Sequence, residues 1–252
     1  MIEGRRHPRW ALVTGAARGI GLGIAQGFAE AGIHVILHDR PASPGMAQAL
    51  DAVRRRGVEA QAIEADLADP DQCLRLADGA IGHAGHVDIV VLNASAEVRV
   101  DWRSADLADI DMQLSVNLRS TLVLLQRLVP PMLERGWGRV LSLGSIQELR
   151  PNPDLMIYAA CKAAQANMMR SLARRHGGEG VTFNTLSPGA IATDRNAEAL
   201  ADDTYRERVE AQIPAGRLGS VADCVPAAVM LCSEPAGYIN GATLRVDGGW
   251  SA

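Results

Sequence analysis

Lysine is all but missing from this chain. Lys and Arg together number 25, and a single one of them, Lys162, is lysine. Cysteine is scarce too. Cys73, Cys161, Cys224 and Cys232 have neither paired metal-ligand spacing nor the density of a disulfide framework, which fits a reduced, cytoplasmic protein with buried thiols. No apolar run approaches the roughly 18 residues of a membrane span. The opening "MIEGRRHPRW" has positive charge but no apolar stretch behind it, so it is not a secretory signal. Residues 1–9 read as an extension, "IEGR" resembling a protease-site scar. There is no excess of positive charge either: the net charge of -4 gives no electrostatic footprint for nucleic acid. His83 and His86 lack a carboxylate–histidine motif around them, so no metal site is expected.

What is present is material for a large core, with 48% hydrophobic residues and 21% charged. Short apolar runs alternate with longer helical stretches. The expected strands are Trp10–Thr14, Ile33–His38, Val58–Glu64, Val87–Leu92, Arg139–Leu143, Val181–Leu186 and Thr243–Val246. Helices are expected to begin near Gly19, Pro44, Pro70, Ser104, Met156 and Val221. Continuously apolar strands separated by helices indicate a parallel sheet covered on both faces. The reading is α/β: one doubly wound, Rossmann-like domain over 10–252, seven strands with helices on both faces, and a mobile substrate lid at 190–213. Ligands in such folds bind beyond the carboxyl ends of the strands.

The residues that follow the first strands bear this out chemically. "ALVTGAARGIGLGIA" carries Gly15, Gly19 and Gly21 from a strand into a helix, with Arg18 and Ile20 between them. A tight turn, close backbone approach to a pyrophosphate and close packing each require a glycine, and the helix start offers free N–H groups to phosphate. No GK[ST] follows, which disfavours a P-loop. Asp39 ends the second strand, where a carboxylate accepts from ribose hydroxyls and repels a 2′-phosphate. NAD is therefore the expected cofactor. Arg40 and Arg18 offset the repulsion and keep NADP as the alternative.

Lys162 closes "YAACK", four residues after Tyr158. Residues four apart on a helix share a face. A tyrosine acts as a base near neutral pH only if its pKa of about 10 falls by roughly three units, or about 4 kcal/mol. An ammonium ~4 Å away supplies a comparable amount at an effective dielectric near 20. A guanidinium is no substitute at a tight site.

"TGAARGIG", "YAACK" and a serine thirteen residues before the tyrosine together resemble the short-chain dehydrogenase/reductase family, from about Ala11 to Gly249. The resemblance implies Tyr158 as general acid/base and Lys162 as the group that lowers its pKa and holds the nicotinamide ribose. It implies Ser145 as hydrogen-bond partner of the reacting oxygen, and Asn117 as anchor of a relay water. It further implies cofactor contacts from Asp66, Leu67 and Asn93, and from Pro188, Gly189, Ile191 and Thr193 in "SPGAIAT". Two departures stand out. Leu92 and Ser95 replace the usual Asn and Gly of NNAG, and Gly144 replaces a frequent Ser.

On the substrate side, "IQELRPNPDLM" places Gln147, Glu148, Arg150 and Asn152, and Glu97 and Arg99 follow the fourth strand. Ser95, Gln147, Arg150 and Arg195 are the candidate substrate contacts, with Asn196 beside them. Polar pocket side chains favour a polyhydroxylated or anionic substrate. The expected reaction is hydride transfer between the nicotinamide and a secondary alcohol or ketone of a sugar, polyol or sugar acid. The alternatives are an NADPH-dependent 3-oxoacyl thioester reductase and, in another class, a non-catalytic dinucleotide-binding regulator. The family resemblance also implies a homo-oligomer, tetramer or dimer, using the helices at Asp111–Arg135 and Met156–His176.

Overall fold

The structure, a computed structural model, describes residues 8–196 and 201–252. The extension expected at the N-terminus lies largely outside the described residues, as do 197–200 of the expected lid. Seven strands form one parallel sheet: β1 (Trp10–Thr14), β2 (His34–Asp39), β3 (Ala60–Glu64), β4 (Ile89–Leu92), β5 (Gly138–Leu143), β6 (Val181–Pro188) and β7 (Thr243–Val246). Their order is β3-β2-β1-β4-β5-β6-β7, so the winding reverses between β1 and β4. That is where a doubly wound sheet opens a crevice for ligand.

Alternation along each strand builds two cores. Ala11 and Val13 of β1, with Val35, Leu37, Ile89 and Val91, face α1 (Gly19–Glu30), α2 (Met46–Arg54) and the last long helix. Leu12, Ile36, Val90 and Val140 face the other way, towards α3 (Pro70–Ala84), α5 (Ser120–Arg135) and α6 (Met156–His176). Each fully buried Phe or Leu contributes roughly 1.5–3 kcal/mol of transfer free energy. Between α3 and α5 lies α4 (Leu107–Leu114); α7 (Asp203–Glu210) and α8 (Val221–Leu231) follow β6.

The expected architecture is present, with shifted ends. β3 and β4 start two residues later than their apolar runs, at Ala60 and Ile89, and β6 continues to Pro188. The long helix expected across Asp111–Arg135 is not continuous. A π turn, Ser115–Arg119, separates α4 from α5. Such turns concentrate at functional sites. Here the side chains of Ser120 and Thr121 reach back to the carbonyls of Val116 and Asn117 at 2.6 and 2.9 Å. Of the expected lid, Asp194–Asn196 forms a short 3-10 turn, and Asp202 caps α7 by accepting from the N–H groups of Thr204 and Tyr205.

Candidate active site

A cleft of about 1030 Å³ runs along the carboxyl ends of the strands. Gly15 opens its floor with a φ of +65°, a left-handed backbone that disfavours any side chain. A Cβ on Gly21 would meet the Gly15 carbonyl at 2.2 Å, so the turn closes only around a bare backbone. The turn is pinned from the far side of the switch point. The Asn93 amide donates to the carbonyls of Thr14 and Gly15 at 2.8 and 3.0 Å, and Thr14 Oγ1 accepts from the N–H groups of Asn93 and Ala94. Asn93 lines the cleft and also shapes the glycine turn.

Asp39 stands at the end of β2 with both oxygens in use. Oδ2 accepts from the Ala17 N–H at 3.2 Å and Oδ1 from the Arg40 N–H at 2.8 Å. Arg18 and Arg40 are exposed on the same wall of the cleft. Asp66 and Leu67 line the next stretch, Asp66 accepting from the Ala68 N–H at 2.9 Å. His38, between these groups, is buried, and desolvation holds its pKa below the ordinary imidazole value of 6.5. At the other end of the cleft, Pro188, Gly189, Ile191 and Thr193 line the loop after β6, and a Cβ on Gly19 would lie 3.8 Å from the Thr193 methyl. The donors, the bare turn and the size of the cleft fit a dinucleotide.

Tyr158 and Lys162 share one face of α6 and both line the cleft. Tyr158 is 7% exposed and Lys162 1%. The ammonium lies 5.6 Å from the centre of the phenol ring and donates to the Leu143 carbonyl at 2.7 Å. Burying an ammonium is costly unless it is paired, so the chain supports it with a carbonyl at the end of β5. Ser145 follows that strand and caps a short 3-10 turn, Ile146–Glu148: its hydroxyl accepts from the Gln147 N–H, while Glu148 Oε1 accepts from the Ser145 N–H at 2.8 Å. Burial pushes the Glu148 carboxyl above the usual carboxylate range, against hydrogen bonds from Ser145 and Ser187 and the charges of Lys162 and Arg170. The departure at Gly144 has its cause here. A Cβ at 144 would lie 2.0 Å from that carboxylate oxygen.

Four residues singled out in the sequence, Asn117, Glu148, Arg150 and Asn152, do not line the cleft. Asn117 is fully buried in the π turn behind it, exchanging hydrogen bonds with the Ala96 backbone: its amide donates to the Ala96 carbonyl at 2.8 Å, and its Oδ1 accepts from the Ala96 N–H at 3.0 Å. Its main-chain carbonyl accepts from Gln165 Nε2 at 2.8 Å. Arg150 turns away to the C-terminus, where it donates to the Trp250 carbonyl at 2.6 Å and lies over the indole ring. The Arg195 side chain lies outside the described residues. Ser95 and Gln147 do line the cleft, with Glu97 and Arg99. Tyr205 and Val209 of α7 and Trp250 line it as well, and sequence reading had not chosen them. They come from distant segments, and only their position after β6 and β7 hinted at them.

The family described as "Enoyl-(Acyl carrier protein) reductase" matches residues 15–251. Gluconate 5-dehydrogenase of Gluconobacter oxydans is 33% identical over 239 residues, covering 95% of this chain and 93% of that protein. A structure described as an NAD(P)-dependent gluconate 5-dehydrogenase from Beutenbergia cavernae, with NADP at low occupancy, is 37% identical with a TM-score of 0.91 and covers 96% of each chain. A 3-oxoacyl (acyl-carrier-protein) reductase from Agrobacterium tumefaciens with NADP bound is 41% identical, TM-score 0.91, over 95% of this chain and 93% of that one. The match runs over residues 15–251 and the relatives are more than 30% identical over nearly their whole length, so the chain belongs to the short-chain dehydrogenase/reductase family.

Proposed function

We propose that this protein interconverts a secondary alcohol and its ketone on a sugar-acid or related polyhydroxylated substrate, with NADP preferred over NAD. The observation that carries the reading is one buried helix face presenting Tyr158 and Lys162 to the same cleft as the glycine turn and Ser145. When bound, the nicotinamide accepts or supplies the hydride. Ser145 hydrogen-bonds the reacting oxygen, and Tyr158 takes the alcohol proton in oxidation and returns it in reduction. Lys162 favours the phenolate by charge, being fixed by the Leu143 carbonyl where water is excluded. Asn117 acts from behind, holding the Ala96 segment of the cleft wall. A purely regulatory dinucleotide binder has no use for this convergence of Ser145, Tyr158 and Lys162.

The cofactor preference departs from what Asp39 led us to expect. NADP is bound in two of the similar structures, and Arg18 and Arg40 stand exposed on the cleft wall beside Asp39, where they can meet a 2′-phosphate. A second reading, reduction of a 3-oxoacyl thioester, is supported by the Agrobacterium relative and by the apolar Met112, Leu155 and Trp250 in the cleft. The polar Gln147, Glu97 and Arg99 support the sugar-acid reading. A screen of sugar acids, sugars, polyols, hydroxy acids and acetoacetyl thioesters with both cofactors, followed by nicotinamide absorbance, separates them. Turnover of thioesters alone overturns the sugar-acid reading, and a clear NAD preference overturns the NADP assignment. Among the described residues no helix is long and apolar enough to cross a membrane. We propose that the protein works as a homo-oligomer, on the support of exposed Leu107, Leu114 and Leu122 along α4 and α5; light scattering in solution tests the assembly.

A further inference from the structure

Glu148 does not line the cleft, yet its carboxylate joins the two loops that frame the reacting end of it. The ladder between β5 and β6 ends at the Leu143–Leu186 pair, with one further main-chain bond from the Gly144 N–H to the Leu186 carbonyl at 2.8 Å. Beyond that point the strands diverge: β5 runs into the Ser145 turn and β6 into the Pro188–Gly189 loop. Glu148 Oε1 bridges the gap, accepting from the Ser145 N–H at 2.8 Å and from Ser187 Oγ at 3.3 Å. The carboxylate is thus an extra rung, supplied by a side chain where the backbone can no longer pair. Gly144 is the space it occupies, since a Cβ there would lie 2.0 Å from the same oxygen and 2.8 Å from the Thr185 methyl. The positive charges of Lys162 and Arg170 on α6 act on the same carboxylate.

We propose that Glu148 is a positioning residue that sets the distance between the catalytic-serine turn and the cofactor-contacting loop after β6, with Gly144 making room for it. This rests on the assignment of Ser145 and of the β6 loop made above. Removing the acceptor leaves two donors in a largely buried place without a partner. A shift of about 1 Å in a catalytic group costs on the order of 10²-fold. Glu148→Ala is expected to lower kcat about thirtyfold on the best substrate while the KM for the dinucleotide changes less than about threefold. Glu148→Gln keeps an amide oxygen for the same two donors and is expected to recover kcat to within about fivefold of wild type.

Amide hydrogen exchange on the full chain supplies a readout independent of any substrate. In Glu148→Ala, peptides covering 143–149 and 186–190 are both expected to exchange faster, with those of β1 and β4 unchanged. Faster exchange confined to the 143–149 peptide, or unaltered in both, overturns the bridge. Equal losses in the Ala and Gln variants, or a loss appearing in KM alone, overturn the positioning role. If wild type turns over nothing in the substrate screen, the functional reading fails while the exchange experiment still decides the bridge.

Discussion

At the scale of single residues, the proposed chemistry depends on an ammonium beside a phenol in a place nearly free of water. Tyr158→Phe retains the ring and its packing and removes the only proton the site can exchange through that side chain. It is expected to lower kcat by about 10³-fold, within the range of general acid–base effects, with thermal stability near wild type. Steady-state turnover with the best substrate checks this, and a variant with wild-type kcat rules out Tyr158 as the proton carrier. Lys162→Arg is the sharper test, because the chain uses arginine for every other strong side-chain cation. At 1% exposure, with Nζ held 2.7 Å from the Leu143 carbonyl, a planar guanidinium cannot place the same point charge beside the phenol. We expect at least a 10²-fold fall in kcat/KM together with a lowered melting temperature from overpacking. An arginine variant as active as wild type shows that charge alone suffices there.

At the scale of elements, α1 and α8 pack unusually closely, and two glycines of α1 are the reason. A Cβ on Gly23 would lie 2.3 Å from Val221 Cγ1, and one on Gly27 2.5 Å from Val225 Cγ1. Gly27→Ala improves helix propensity by up to about 1 kcal/mol. Overpacking costs typically about 1–3 kcal/mol, and here the contact is with a stiff β-branched side chain. The net expectation is destabilisation by about 1–2 kcal/mol in urea unfolding, largely reversed by adding Val225→Ala. An alanine variant more stable than wild type means that the helices separate freely. These contacts mark where the sequence stops being readable. The strands β1 and β7 and the Tyr158–Lys162 face were legible because each is set by neighbours within one element: a short apolar run, or a spacing of four. The bonding of Asn117 to the Ala96 backbone, the bond from Ser187 to Glu148, and the capture of Arg150 by Trp250 join segments far apart in the chain. No local pattern encodes them. The glycines at 23 and 27 were visible as residues, but their partner helix begins almost 200 residues later.

At the scale of the whole molecule, a buried histidine ties global stability to pH. His38 lies at the end of β2 in the middle of the sheet, 1% exposed, with Nε2 3.0 Å from the Ala65 carbonyl and Nδ1 without a hydrogen-bond partner among the described residues. Desolvation lowers its pKa from the ordinary imidazole value of 6.5, against the raising effects of the Ala65 carbonyl and of Asp39. The folded state therefore keeps the ring neutral at pH values where the unfolded chain protonates it. Between the lowered pKa and 6.5 the unfolded state binds more protons, so stability is fully present above 6.5 and declines as pH falls through that window. The slope is at most about 1.4 kcal/mol per pH unit for one proton. Glu148 acts with the opposite sign: its pKa is raised from 4.5, so its contribution is full below 4.5 and is lost as pH rises through the raised value. Wild type alone reports the sum of the two, and the comparison with His38→Asn, which does not titrate, isolates the histidine. Chemical unfolding of both proteins at intervals from pH 7.5 to pH 5 is expected to show wild type losing stability towards acid more steeply than the variant. Parallel curves across that range mean that His38 opens to water or finds a proton partner in the fold.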